Sequence, residues 1–170
     1  MDKKLFFILH NFYNSHKGFG KVVLFTDRAC PFIFIAIFAV FCTHLAYSRL
    51  FAELTLFAGI PFVSIVICRT IRHLTKRKRP CQAFKLNSPH VNKASYSFPS
   101  NHAASASAIA YGCIYINTHV GIAVLCLAII TALSRVFTGA HYPSDVFAGF
   151  VFSAITAAIG FIIIPILLLH

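Results

Sequence analysis

The stretch Ala103–Val136, AASASAIAYGCIYINTHVGIAVLCLAIITALSRV, decides the fold. A helix needs about 20 apolar residues to cross a bilayer core, and this run is too long for one crossing. It breaks naturally at Asn117-Thr118-His119 and so reads as two hairpinned helices. Its first half, through Ala110 and Gly112, is built from Ala, Ser and Gly. Such small side chains let helices approach closely in lipid, where apolar burial does not drive association. A central packing helix is expected there.

Working outward, three more apolar runs are long enough, or nearly so, to cross: Ala29–Tyr47, Leu50–Cys68 and Val146–Leu169. With the hairpin they make five spans. Ahead of them, Leu5, Leu9 and Phe12 recur at helical spacing among Lys3, Lys4, Asn11 and His16, the pattern of an interfacial helix. Phe19–Thr26 leaves room for a sixth, short insertion. The expected fold is all-α, a polytopic membrane helix bundle of five to six transmembrane or interfacial helices. Residues 1–28 form its amphipathic, interfacial amino-terminal segment and residues 29–170 its membrane-embedded domain.

Composition agrees. Apolar residues make up 58% of the 170-residue chain and charged residues 11%, against roughly a quarter charged in an ordinary soluble domain. The length fits one domain. Fifteen Lys and Arg against four Asp and Glu give a formal net charge of +11, which calls for an anionic surface or ligand. Nucleic acid is set aside as a partner, because such a module carries its charge on a soluble fold. The six cysteines are scattered, without a CxxC pair, and most sit in apolar runs where free cysteine behaves as a small hydrophobe. Met1–Phe25 lacks a clean apolar core and a small-residue cleavage site, so no cleavable signal peptide is expected.

Polar residues gather in two islands, Arg69–Ser100 and Ser134–Asp145. Five crossings put both islands and the amino terminus on one side, where they can build one site. In the first island Arg72 and Arg79 are seven residues apart, two turns along one helical face, before Pro80 stops the helix. Two guanidiniums so placed can grip phosphate oxygens. Alone, such a cluster is an ordinary juxtamembrane patch drawn to anionic headgroups. Phe98-Pro99-Ser100-Asn101-His102 then opens a helix, and the exposed N–H groups of a helix start bind anions. The second island reads Ser134-Arg135-Val-Phe-Thr-Gly139-Ala-His141-Tyr-Pro143-Ser-Asp145. His141 and Asp145 are four apart, close enough for the carboxylate to accept a ring N–H and hold one tautomer, the logic of a nucleophile with its orienting partner. Ionisable residues near a membrane core are costly and functional by default. Nine histidines invite a metal reading, but none forms HExxH or a comparable ligand cluster, and no metal or cofactor is expected.

These three elements resemble the signature motifs of the type 2 phosphatidic acid phosphatase superfamily of membrane lipid phosphatases. The first family motif is Lys, six residues, Arg-Pro, and here it reads Arg72, six residues, Arg79-Pro80. The second is Pro-Ser-Gly-His, here Pro99-Ser100-Asn101-His102. The third is Ser-Arg, five residues, His, three residues, Asp, matched by Ser134, Arg135, His141 and Asp145. The resemblance covers roughly Leu50–Leu169. Arg72 in place of lysine keeps the charge and changes its reach; Asn101 in place of glycine tolerates unusual backbone angles better than most residues.

The resemblance implies a mechanism. Arg72, Arg79, Arg135, Ser100 and the Asn101 backbone would cradle the phosphoryl oxygens. His141, oriented by Asp145, would attack phosphorus, and His102 would protonate the leaving oxygen and then activate water. Positioning and charge neutralisation dominate phosphoryl transfer, and three arginines supply them without magnesium. The implied partners are the bilayer and a membrane lipid phosphate. The short chain and its Leu-Phe-Phe-Ile-Leu-His-Asn start resemble small bacterial enzymes acting on undecaprenyl diphosphate. Phosphatidylglycerophosphate, phosphatidate and lipid A phosphatases are the alternatives within the superfamily. A non-enzymatic transporter or lipid-binding subunit is the alternative outside it, and gives no reason for the complete Ser-Arg, His, Asp set.

Orientation sets two arguments against each other. All but Arg49 of the fifteen Lys and Arg fall on the active-site side, which the positive-inside tendency would put in the cytoplasm. Relatives usually open their sites to the extracytoplasmic face of the cell membrane. Arg72, Arg79 and Arg135 are accounted for by phosphate, and the expected site faces outward.

Overall fold

The computed structural model describes residues 2–86, 88 and 96–165, and every regular element among them is a helix. Helix α1 covers Asp2–Ser15. After a single residue, His16, the 31-residue helix α2 runs from Lys17 to Tyr47. The apolar run from Ala29 is therefore the later part of a longer helix, and Phe19–Thr26 is its beginning rather than a separate insertion. Helix α3 spans Phe51–Thr75 and ends on Lys76 in a left-handed cap. A one-turn helix, α4 (Pro80–Ala83), follows.

The hairpin forms as the opening stretch requires. Helix α5 spans Asn101–Ile116 and α6 spans Thr118–Phe137, with Asn117 closing one and capping the other through its side chain, which accepts the Val120 N–H at 3.1 Å. A Cβ on Gly121 would lie 2.2 Å from the Ile114 nitrogen, so the turn closes only around glycine there. Helix α7 spans Pro143–Ala158 and continues as a π-helical turn over Ile159–Ile163. The end of the expected Val146–Leu169 span, residues 166–170, lies outside the described residues.

Among the described residues, four helical segments are long and apolar enough to cross a membrane: Lys17–Tyr47, Phe51–Ala83, Thr118–Phe137 and Pro143–Ile163. The fifth expected span, α5, has sixteen residues, about 24 Å of helix. It runs antiparallel beside α6 at the centre of the bundle, packed also by α3 and α7. Ala103, Ala104, Ala106, Ala108 and Ala110 are all buried. Hydroxyl pairs tie the bundle in its interior, Ser107 to Ser153 and Ser64 to Thr156, each at 2.6 Å. The outside is reversed from a soluble protein: Phe25, Phe32 and Phe147 are each more than 70% exposed, a surface that only lipid covers at no cost.

Candidate active site

The three motifs meet at one end of the bundle, where α3 ends, α5 and α7 begin and α6 stops. Hydrogen bonds between backbones sew them together. The Cys81 N–H donates to the Gly139 carbonyl at 3.1 Å, and the Ser100 N–H to the Asp145 carbonyl at 2.9 Å. Helices α5 and α7 come so close that a Cβ on Gly149 would sit 2.7 Å from the Ser100 carbonyl oxygen. Gly139, at φ +80°, turns the chain from α6 toward His141.

His141 is almost fully enclosed, 1% exposed. Its Nδ1 lies 2.8 Å from the Ser97 carbonyl and 3.7 Å from Asp145 Oδ2. A carbonyl can only accept, so Nδ1 carries the proton and the lone pair sits on Nε2. Nε2 in turn lies 3.3 Å from Nη1 of Arg79. The expectation that Asp145 takes the ring N–H is thus modified: the Ser97 backbone accepts it, and Asp145 stands behind. Burial pushes the His141 pKa down to about 4; Asp145 opposes this, and Arg79 and Arg72 add to it. The ring is neutral at physiological pH, with a lone pair available for attack.

Asp145 is fully buried and engaged on both oxygens. Oδ2 accepts the Tyr142 N–H at 2.8 Å, capping α7. Oδ1 accepts from Arg77 Nη1 at 2.6 Å. Arg77 also reaches Ser144 and Asp2 and lies over the Tyr142 ring, 4.1 Å from its centroid. Asp2 accepts the Ser144 N–H at 3.1 Å and its hydroxyl at 2.6 Å. Its slight burial alone would raise the carboxyl pKa; the bonds from Ser144 and Arg77 outweigh that and hold it below the ordinary value. Arg77 and Asp2 had no distinguishing signal in the sequence, one being part of a basic run and the other the first charge of an amphipathic helix.

The three expected arginines converge from different elements. Arg72, in the last turn of α3, donates to the Pro99 carbonyl at 2.6 Å. Arg79 precedes α4 and donates to the Ala140 carbonyl at 2.9 Å. Arg135, in the last turn of α6, faces Asp27 of α2: Nε to Oδ1 is 3.1 Å and Nη1 to Oδ2 is 3.3 Å. Ser100 caps α5, its hydroxyl accepting the Ala103 N–H at 3.4 Å. Asn101 and His102 follow in the first turn, where backbone N–H groups lack intrahelical partners. The Asn101 Oδ1 is buried without a hydrogen-bond partner among the described residues. His102, His141 and the three arginines lie close enough for their charges to act on one another.

A cavity of about 510 Å³ leads away from His102 between α2, α3 and α5. Apart from His102, Ser105 and Thr131 its lining is apolar, including Phe34, Phe38 and Phe62. Pro31 of α2 and Pro61 of α3, each inside its helix, are both in the lining. Its rim is open sideways, with Ile35 64% and Phe62 69% exposed.

Guanidiniums and a buried neutral imidazole at one end of a membrane bundle, beside an apolar groove, form an arrangement suited to an anionic group carried on a lipid. Residues 53–167 match the PAP2 superfamily, and the chain belongs to it. The chain is 27% identical to the undecaprenyl-diphosphatase BcrC of Bacillus subtilis over 95% of its own length and 82% of that protein's. It is 35% identical to the decaprenylphosphoryl-5-phosphoribose phosphatase of Mycobacterium tuberculosis over 58% of its length and 54% of that protein's. In fold it is similar to a transmembrane PAP2-type phosphatidylglycerolphosphate phosphatase from Bacillus subtilis, with a TM-score of 0.52 at 20% identity, covering 90% of this chain and 89% of that one. The chain is a membrane-embedded phosphatase of this family.

Proposed function

We propose that the protein removes the terminal phosphate of undecaprenyl diphosphate through a phosphohistidine intermediate, without a metal ion. The observation that carries the substrate is the near full-length similarity to an undecaprenyl-diphosphatase. An apolar groove with His102 in its lining supports it, since it can take a long chain beside the headgroup.

In the proposed reaction Arg72, Arg79 and Arg135 hold the oxygens of the terminal phosphate, aided by the first turn of α5 and Ser100. Their charge offsets what accumulates as the phosphoryl group moves between oxygen and nitrogen. Arg79 covers Nε2 in the free site, so an arriving phosphate must draw this guanidinium to itself and uncover the lone pair. Nε2 attacks phosphorus, an N–P bond forms, and the P–O bond to undecaprenyl phosphate breaks. His102 takes up a proton once the bound phosphate offsets the arginines around it, gives that proton to the leaving oxygen, then takes one from water, and the resulting hydroxide cleaves the N–P bond to release phosphate. The Ser97 carbonyl keeps the Nδ1 proton in place throughout.

The test is phosphate release by the purified protein from undecaprenyl diphosphate, phosphatidylglycerophosphate and phosphatidate, each with and without excess chelator. The prenyl diphosphate should be turned over fastest, with chelator making no difference. Preference for phosphatidylglycerophosphate would replace the substrate, and loss of activity restored by one divalent ion would replace the metal-free site. His141→Ala should lose nearly all turnover, and acid quenching of the native protein with labelled substrate should trap an acid-labile phosphoprotein.

A further inference from the structure

We propose that Asp27 is a positioning residue of the active site, fixing the Arg135 guanidinium for phosphate and offsetting part of the charge of the converging arginines. Helix α2 contributes none of the three motifs, yet it presents one of the four acids of the chain to their centre. Asp27 is 4% exposed, on the same face as Gly20, Val23, Cys30 and Phe34, all buried. Both carboxylate oxygens point at Arg135, and Oδ1 also accepts the Ser134 hydroxyl at 3.3 Å. The Ser-Arg pair of the third motif is therefore gripped as a unit from the opposite side of the bundle.

A buried ion pair is weak evidence for stability, because an apolar pair of similar volume is often as stable. A carboxylate 4% exposed on the protein-facing side of α2 calls for another reason, and the geometry supplies one. Asp27 accepts from Nη1 and lies beside Nε, whose own N–H has no hydrogen-bond partner among the described residues; the ion pair removes the freedom of a long side chain and leaves the Nε–Nη2 edge to a ligand. Three guanidiniums in mutual range repel one another, and the Asp27 carboxylate offsets part of that repulsion before any phosphate arrives. The inference rests on the phosphatase reading above and extends it to a helix outside the motifs.

The experiment uses the full chain in detergent and compares native protein, Asp27→Asn, Arg135→Ala and the double variant. Each is assayed for kcat, KM, thermal stability, and binding of vanadate and of inorganic phosphate. Asp27→Asn should lower kcat by roughly 10- to 100-fold, the scale of a misplaced catalytic contact, with KM changed less than about threefold. Vanadate, which mimics the pentacoordinate state, should weaken more than phosphate does. In the Arg135→Ala background the same change should cost less than about twofold, because the two act through one another. An equal loss in both backgrounds, or native kcat in Asp27→Asn, overturns the proposal. If Asp27→Asn fails to accumulate, Asp27→Glu decides: it keeps the pair but shifts the carboxylate by one methylene, and unchanged kcat at normal stability overturns the idea. Vanadate binding needs no lipid. Asp27-dependent vanadate binding without turnover of any lipid phosphate would sink the phosphatase reading and leave this one standing; Asp27-independent binding with normal turnover would do the reverse.

Discussion

A histidine that attacks phosphorus must be neutral, hold its proton on the far nitrogen and be kept from water until substrate is present. His141 meets each requirement by a separate contact: burial for the charge, the Ser97 carbonyl for the tautomer, Arg79 for the cover. With its pKa depressed to about 4, His141 is deprotonated above that value and gains a proton only as pH falls through it. The acid limb of kcat/KM, which reports the free enzyme, should therefore lie near pH 4 if this ring limits it, and an acid limb near the ordinary imidazole value would contradict the enclosed geometry. Arg72 differs from the family lysine and donates to the Pro99 carbonyl, holding the second motif as well as facing the site. Arg72→Lys should keep much more kcat than Arg72→Ala. Equal, severe losses in both would mean that the guanidinium fork itself is needed; full activity in both would remove Arg72 from the site. Arg79, Arg135, His141 and Asp145 were singled out from motifs of local spacing and come together in the structure, but Arg72 and Arg79 share no helical face, since α3 ends at Thr75 and Arg79 caps α4. Ser97 and Asp27 were not singled out: one acts through a backbone carbonyl, which every residue has, and the other lies more than a hundred residues from its partner.

Among the elements, α1 presents two different faces. The spacing of Leu5, Leu9 and Phe12 marks an apolar face, and Leu5 and Phe12 are about half exposed, as an interfacial helix requires. The face turned to the protein carries Asp2, Phe6 and His10, again four apart. Phe6 is fully buried against Phe84 and Tyr142, and His10 Nδ1 donates to the Phe137 carbonyl at 2.8 Å. In a membrane the more hydrophobic face meets lipid and the mixed one meets protein, the opposite of the soluble rule. The small-residue reading of α5 had no such ambiguity, since Ala and Gly are useful only where another helix comes close. Gly149 tests that closeness. Gly149→Val should cost about 1–3 kcal/mol as an overpacked contact and reduce kcat by displacing the Ser100 end of α5. A variant with normal thermal stability and native kcat would show that α5 and α7 do not hold this distance in the working enzyme.

On the scale of the whole molecule, the active end and the basic residues coincide, so orientation and function are entangled. Arg77 and Arg135 are paired to carboxylates within the site, and with Arg72 and Arg79 they form part of the site's architecture. Lys3, Lys4, Lys17, Lys21, Lys76, Lys78 and Lys85 remain exposed at that end, where they suit anionic headgroups on either side. We expect the site to face outward, where undecaprenyl diphosphate is released during wall synthesis. A cysteine-free variant carrying Lys85→Cys should react with an impermeant maleimide in intact cells. Reaction only after lysis would place the site in the cytoplasm and favour a lipid made on that leaflet.

The groove beside His102 opens between Ile35 and Phe62 toward the lipid tails rather than toward water. A substrate can therefore slide in sideways with its chain still in the membrane, and it is delivered by diffusion in two dimensions. What the enzyme senses is crowding within the leaflet: the mole fraction of substrate among its neighbours sets the rate, and the volume of the surrounding buffer does not enter. Adding inert phospholipid or detergent at constant total substrate should slow turnover in proportion to the dilution, and long-chain alkyl detergents, able to lie in the same groove, should slow it further.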